Sequence, residues 1–360
     1  MRDIWPSWLS GNKGFVLAHS VAIAVVISLG FVTWQQFEIW RSMKREPRHI
    51  LALVQRSRLR ESVAYVQMGN TLFSQRDIDG AMEHYRWALQ VNPEYPAAHY
   101  NLGLLLANRG ELSRAIEQYR QALKLNPTYA LAHDGLGDAL MDRGQADEAI
   151  EHFRKALEIE PDYASAHYSL GRALAQKGQL GEAIKEYGEA VKSDEKFAVA
   201  YYDLGNAYFK LGKYKEAVEQ YRQAVKVNPG YAVAYYNMGN AMLKAGETEK
   251  AIEQYRLAIK YDSRYGEAYA NLGNALETGG KLGEAIAQYK RAVEINPGDA
   301  QAHYNLGNAL LRKREVEQAI EEYRRAVKLN PRYVEARTNL RAPCRWRKKK
   351  TRRSPSIARR

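Results

Sequence analysis

Eight histidines and one cysteine are the residues of this 360-residue chain best suited to catalysis or metal binding, and their spacing argues against both. His99, His133, His167 and His303 share one offset of a 34-residue interval, and His84 and His152 share another. Position in a recurring element explains them before metal binding does. No H-E-x-x-H string sets two of them on one helical face around a general base. Cys344 stands alone, which excludes an internal disulfide and a paired-cysteine zinc site. The chain has neither a G-x-x-x-x-G-K-[ST] phosphate loop nor a G-x-S-x-G nucleophile turn. The sequence therefore predicts no catalytic residues, no cofactor and no metal.

What the spacing offers instead is non-covalent chemistry. Asn101, Asn237, Asn271 and Asn305 form one row, interrupted by Gln67, Gly135, Ser169 and Asp203. Asn70, Asn206, Asn240, Asn274 and Asn308 form a second, interrupted by Leu104, Asp138 and Arg172. Tyr100, Tyr168, Tyr202, Tyr236 and Tyr304 stand beside them. An asparagine side chain carries one acceptor and two donors, the complement of a peptide unit, so rows of them suit an extended chain held by its backbone. Tyrosine adds flat contact area at small entropic cost. The plainer reading is that these asparagines serve solubility or local bonding, and both readings stand at this level.

The element that positions these rows is a stretch of 34 residues, AVAYYDLGNAYFKLGKYKEAVEQYRQAVKVNPGY at 198–231, which returns in eight copies. They run 62–95, 96–129, 130–163, 164–197, 198–231, 232–265, 266–299 and 300–333. A fixed period of this length means stacked supersecondary units, an all-α solenoid rather than a single closed core. Within a copy, Tyr201, Leu204 and Tyr208 recur at helical spacing and Gly212 ends the first helix. Ala217, Tyr221, Ala224 and Val225 stripe an antiparallel second helix, stopped by Asn228 and Pro229. Gly205 and its equivalents sit mid-helix, where each costs ~1 kcal/mol relative to alanine. Ala217 is small in every copy as well, so the expectation is that glycine meets alanine at one close crossing, with Tyr221 and its equivalents filling the space beside it.

This pattern resembles the tetratricopeptide repeat over about three quarters of the chain. The resemblance implies a right-handed superhelix whose first helices line a concave groove that binds protein or peptide segments, and it places the asparagine and tyrosine rows on that groove. The rows are similar to those in the repeats of O-linked N-acetylglucosamine transferases, which grip protein substrates that way. That likeness makes a substrate-recruiting arm of a glycosyltransferase the alternative to a non-catalytic scaffold. A chaperone-type carboxylate clamp is not expected, because its cationic positions are here mostly Tyr, Asn, Val and Ala, with Arg172 isolated. Two departures matter. The late proline is Glu195 and Ser263 in two copies, so looser turns are expected there. The helix-ending glycine is Arg76 in the first copy and Arg314 in the last.

The flanks differ in character from the array. Residues 1–61 hold nine Lys or Arg against four acids and the last twenty hold ten against none, which leaves 35 basic and 37 acidic residues for 62–340. After a short flank at 1–14, Phe15 to Trp34 runs twenty residues without Lys, Arg, Asp or Glu, bracketed by Trp5, Trp8, Trp34 and Trp40. At ~1.5 Å per residue it spans ~30 Å, the thickness of a bilayer's hydrocarbon, so a single-pass transmembrane helix is expected. Arg41, Lys44, Arg45 and Arg48 follow it closely, which puts the repeats on the cytoplasmic side. Residues 35–61 read either as a basic juxtamembrane segment on anionic headgroups or as a solvated linker with the leading helix of the array. A partial capping helix at 334–341 precedes a basic tail, 342–360, expected to be disordered and to attract anionic partners nonspecifically. The abrupt end of the repeat pattern fits an altered reading frame equally.

Overall fold

A computed structural model of the chain describes residues 47–341, and every regular element among them is an α-helix. The expected membrane span, the short flank before it, residues 35–46 and the basic tail lie outside the described residues. No helix among the described residues is long and apolar enough to cross a membrane.

The helices fall into two compact units divided after Gln145. The first unit holds α1 (Pro47–Ser74), α2 (Ile78–Val91), α3 (Pro96–Asn108), α4 (Leu112–Leu125) and α5 (Ala130–Asp142). α1 packs on α2 and α3 on α4 as antiparallel pairs, and α2 packs on α3 and α4 on α5 to join one pair to the next. α1 is continuous over 28 residues, with Pro47 as its first residue, so residues 47–61 are the leading part of that helix. Proline is tolerated there because the first helical N–H has no intrahelical partner.

The second unit begins with α6 (Ala146–Ile159), which packs on α7 (Ala164–Gln176). Five antiparallel pairs complete it. They are α8 (Leu180–Ser193) behind α7, α9 (Ala198–Lys210) with α10 (Tyr214–Val227), α11 (Ala232–Lys244) with α12 (Thr248–Tyr261), α13 (Gly266–Thr278) with α14 (Leu282–Ile295), and α15 (Ala300–Arg312) with α16 (Val316–Leu329). Residues 334–341 form a last helical segment, α17, whose Leu340 packs against the core. That core is continuous from Ala217 to Tyr323, each pair lending a buried tyrosine and two buried alanines from its second helix. A helical hairpin of this size cannot cover its own apolar stripe, so stability comes from neighbour on neighbour.

Two kinds of turn repeat. Inside a pair, the first helix ends on a left-handed residue: Gly212 has φ 73°, and the Lys213 N–H reaches back to the Tyr208 carbonyl at 3.0 Å. Arg76 and Arg314 adopt the same conformation at φ 65° and 67°, so the terminal copies keep the turn at the cost of a side chain in left-handed space. Between pairs, an Asn or Asp ends the second helix and its side chain accepts from the N–H two residues on, except after α6, where Glu160 stands in that place. The turns at Glu195 and Ser263, expected to be looser for lack of proline, are not. Asp194 caps at φ −135°, ψ 96° and Asp262 at φ −132°, ψ 95°, against φ −135°, ψ 92° for Asn126. Lys196 and Arg264 N–H groups donate to their Oδ1 atoms at 2.9 Å, the bond that Thr128 N–H makes to Asn126 Oδ1 at 3.1 Å beside Pro127, so the turn keeps its order without the proline.

Candidate functional site

The mid-helix glycines do not oppose the small alanines. A Cβ placed on Gly205 would lie 2.7 Å from a Tyr221 ring carbon, and on Gly239 2.7 Å from a Tyr255 ring carbon. The corresponding distances are 2.6 Å at Gly273 toward Tyr289 and 2.7 Å at Gly307 toward Tyr323. The close approach is thus between a helix backbone and a tyrosine face, and the expected glycine–alanine crossing is corrected: the ring itself fills the place of the missing side chain.

That seating aims each tyrosine hydroxyl at the residue after the glycine. Tyr221 donates to Asn206 Oδ1 at 2.7 Å, Tyr255 to Asn240 Oδ1 at 2.8 Å, and Tyr323 to Asn308 Oδ1 at 2.8 Å. Tyr85 does the same to Asn70 at 2.7 Å in the first unit. Burial, with the neighbouring Tyr304 second, pushes the Tyr323 phenol up to about 12, and burial raises Tyr221, Tyr255 and Tyr289 as well. These hydroxyls therefore keep their protons and act as donors, which fixes the asparagine amides with oxygen inward and nitrogen outward. The Tyr289 hydroxyl lies 2.7 Å from Asn274 Oδ1 and 2.9 Å from Glu277 Oε2, one proton between two acceptors.

The two asparagine rows join one pair of helices to the next. Asn237 Nδ2 donates to Asn206 Oδ1 at 3.1 Å and to the Tyr202 hydroxyl at 2.9 Å. Asn271 Nδ2 donates to Asn240 Oδ1 and to the Tyr236 hydroxyl, both at 3.0 Å. Asn305 Nδ2 reaches Asn274 Oδ1 at 3.3 Å, and Asn101 Nδ2 reaches Asn70 Oδ1 at 3.1 Å in the first unit. Asn339, on the short α17, closes the series onto Asn308 Oδ1 at 3.0 Å and the Tyr304 hydroxyl at 3.2 Å. The local bonding that the plainer reading anticipated is present. Of the fourteen residues placed in the rows, the thirteen other than Asn70 are half-buried, and Asn70 is exposed. Both N–H groups of Asn237 and Asn271 are used, and Asn240 Nδ2 bonds both Asn237 Oδ1 and the Tyr236 hydroxyl, whereas those of Asn206 and Asn274 each make one bond, to Asp203 and Asn271. One donor each of Asn206 and Asn274 is left for a ligand.

The row tyrosines lie between two rings apiece. Tyr202 sits 5.9 Å from Tyr221 and 5.2 Å from Tyr231, Tyr236 6.0 Å from Tyr255 and 4.9 Å from Tyr265, and Tyr304 6.0 Å from Tyr323 and 4.9 Å from Tyr333. Tyr168 lies between Tyr187 and Phe197, and Tyr100 between Tyr119 and Tyr129. Tilted contacts at these separations hold each ring as a fixed surface. In the second unit this face opens into a cavity of about 390 Å³ lined by Asn206, Asn237, Tyr187, Tyr221, Arg172 and Asp203, among others. Sequence reasoning noticed Arg172 as an interruption of the rows and an isolated cation, and Asp203 only as an interruption. It missed the tyrosine donors, whose signal is a spacing of fifteen residues after the second-row asparagine.

The histidines that share an offset act as staples. His99, His167 and His303 contact the carbonyls of Pro93, Pro161 and Pro297 through Nε2 at 2.9, 2.9 and 3.2 Å. Through Nδ1 they meet Gln118, Glu186 and Glu322 at 2.8, 2.7 and 2.6 Å. Burial pulls the His167 pKa down, but the Glu186 carboxylate, the Pro161 carbonyl and the Glu189 charge together hold it above the usual histidine value. No group of three potential metal ligands occurs among the described residues.

The family model described as Cilia and flagella-associated protein 70 C-terminal domain, a tetratricopeptide model, matches residues 131–341, more than half the chain. A second model, described as Tetratricopeptide repeat, matches residues 66–130. The chain belongs to the tetratricopeptide-repeat family. Among solved structures, this tetratricopeptide chain is similar to MamA, at 27% identity over 48% of this chain and 94% of that one, with a TM-score of 0.44. It is also similar to YrrB, described as a TPR protein with an unusual peptide-binding site, at 29% identity over 51% of this chain and 95% of that one, TM-score 0.45. A chain of the APC/C hetero-tetramer Cut9-Hcn1 matches at 18% identity over 78% of this chain and 55% of that one, TM-score 0.48. The tetratricopeptide chain thus spans about half the length of that last neighbour. No curated protein matches it.

Proposed function

We propose that the repeats form a non-catalytic scaffold that holds extended segments of other proteins along the face of the first helices. The observation that carries this reading is the second row of asparagines beside fixed tyrosine rings, with an uncommitted N–H group on Asn206 and on Asn274. Donors in register suit backbone carbonyls, and ring faces suit many side chains, so such a face tolerates varied sequences. The test is capture of a random-peptide phage library by the full chain and by the triple variant Asn206→Asp, Asn240→Asp, Asn274→Asp. The substituted oxygens still accept from the buried tyrosines while the amide donors are lost; because Asn206→Asp also faces Asp203, Asn274→Asp is measured alone as well. Weaker capture at unchanged melting temperature supports the reading, and equal capture overturns it.

The apolar run 15–34 supports seating this scaffold at a membrane, and the basic residues that follow support its cytoplasmic side. Protease access to Tyr333 from the opposite side of native membranes would reverse that orientation. The basic tail is assigned to nonspecific contact with anionic surfaces. The glycosyltransferase-arm reading rests on the same asparagine rows, and sugar transfer by the chain together with a separate catalytic subunit would favour it over the scaffold.

A further inference from the structure

At one step the asparagine pairing gives way to charge. Arg172 occupies in its helix the place that Asn206 holds in the next, and Asp203 the place that Asn237 holds after it. Arginine has donors and no acceptor. The Tyr187 hydroxyl, whose counterparts Tyr221 and Tyr255 donate to asparagine, therefore has no acceptor among the described residues, although Tyr187 is only 3% exposed. The hydroxyl borders the open cavity, so its proton is available to whatever enters there.

The rest of the cavity leans the same way. The Arg172 guanidinium lies 5.7 Å over the Tyr168 ring, and neither it nor Lys210 has a carboxylate partner among the described residues. Asp203, the one acid in the lining, is already engaged: its Oδ2 accepts from Tyr168 at 2.9 Å and its Oδ1 from Asn206 Nδ2 at 3.2 Å. Two unpaired cations and a spare hydroxyl proton thus face a space of about 390 Å³.

We propose that this cavity seats the side-chain carboxylate of an Asp or Glu carried by the bound segment, with Arg172, Lys210 and the Tyr187 hydroxyl as its donors. This rests on the scaffold reading above and adds to it a fixed acidic position in an otherwise tolerant face. The match is one of charge: a carboxylate accepts from all three donors at once, and charge-assisted bonds in a partly enclosed site are the strong ones.

The test is selection of a random-peptide phage library on the full chain and on Arg172→Asn, which installs the acceptor found in the neighbouring pairs and gives Tyr187 its partner. Peptides selected by the full chain are expected to share an Asp or Glu at one register. They should lose roughly tenfold in affinity when that residue becomes Asn or Gln, and by a similar factor on Arg172→Asn. Amidating the peptide C-terminus should change nothing. Four results overturn the proposal: no acidic preference, a preference for Lys or Arg that would make Asp203 the determinant, sensitivity to C-terminal amidation, or an undiminished acidic preference on Arg172→Asn. Peptide capture without acidic preference leaves the scaffold reading standing, whereas no capture by either protein removes both.

Discussion

Tyr255 lies with its ring against Gly239 and its hydroxyl 2.8 Å from Asn240 Oδ1, so one side chain accounts for both residues of a Gly-Asn pair. The same geometry joins Tyr221 to Gly205 and Asn206, and Tyr323 to Gly307 and Asn308. Removing the asparagine strands a hydroxyl in a residue that is 0% exposed. Asn240→Ala should cost ~1–3 kcal/mol in urea unfolding, the usual penalty for a buried polar group left unmet. Adding Tyr255→Phe to that variant should recover part of the loss, and a double-mutant cycle measures the coupling.

Glycines in these helices divide into two kinds. Gly239→Ala gains ~1 kcal/mol of helix propensity, but its Cβ would meet the Tyr255 ring at 2.7 Å, so the net effect should be destabilising by ~1–2 kcal/mol. Gly188, in the interior of α8, has nothing within 4 Å of an added Cβ. Gly188→Ala should therefore stabilise by ~1 kcal/mol, and thermal melts of the two variants should shift in opposite directions.

Arg314 holds a left-handed conformation at φ 67° that glycine holds in the internal copies. Arg314→Gly should raise stability by ~1 kcal/mol, the order of the penalty for a side chain in that region. A lower melting temperature would mean that the arginine makes compensating contacts in the folded chain.

The His167 staple predicts a pH dependence. Its folded pKa is raised, so its bond to Glu186 stabilises fully below the unfolded value of about 6.5 and loses that contribution as pH rises through the higher folded value. Glu186→Gln should lower the melting temperature most at mildly acid pH, with the difference narrowing as pH rises through the raised folded value.

The paired-helix architecture was legible because a period of 34 residues repeats the same apolar stripe and the same stop signals many times over. The partner of Gly205 was not legible, because Ala217 and Tyr221 lie one turn apart on the same face of α10 and spacing alone cannot say which of them meets the glycine. The asparagine rows were visible as residue types. Their bonding was not, since it depends on tyrosines fifteen residues later folding back to set each amide's orientation. Arg172 read as isolated because Lys210 and Tyr187 sit at different offsets, and only packing brings the three to one cavity. The turns at Glu195 and Ser263 were misjudged because the preceding aspartates, rather than a proline, order them.

The ties between successive pairs have one further consequence. Asn237 reaches back 31 residues to Asn206 and 35 to Tyr202, and Asn271 repeats both intervals to Asn240 and Tyr236. Excision of residues 232–265 would bring Asn271 to the place Asn237 now fills, with Tyr202 and Asn206 waiting for it unchanged. The reach of the molecule can therefore be shortened or extended by whole copies during gene duplication without inventing a single new junction.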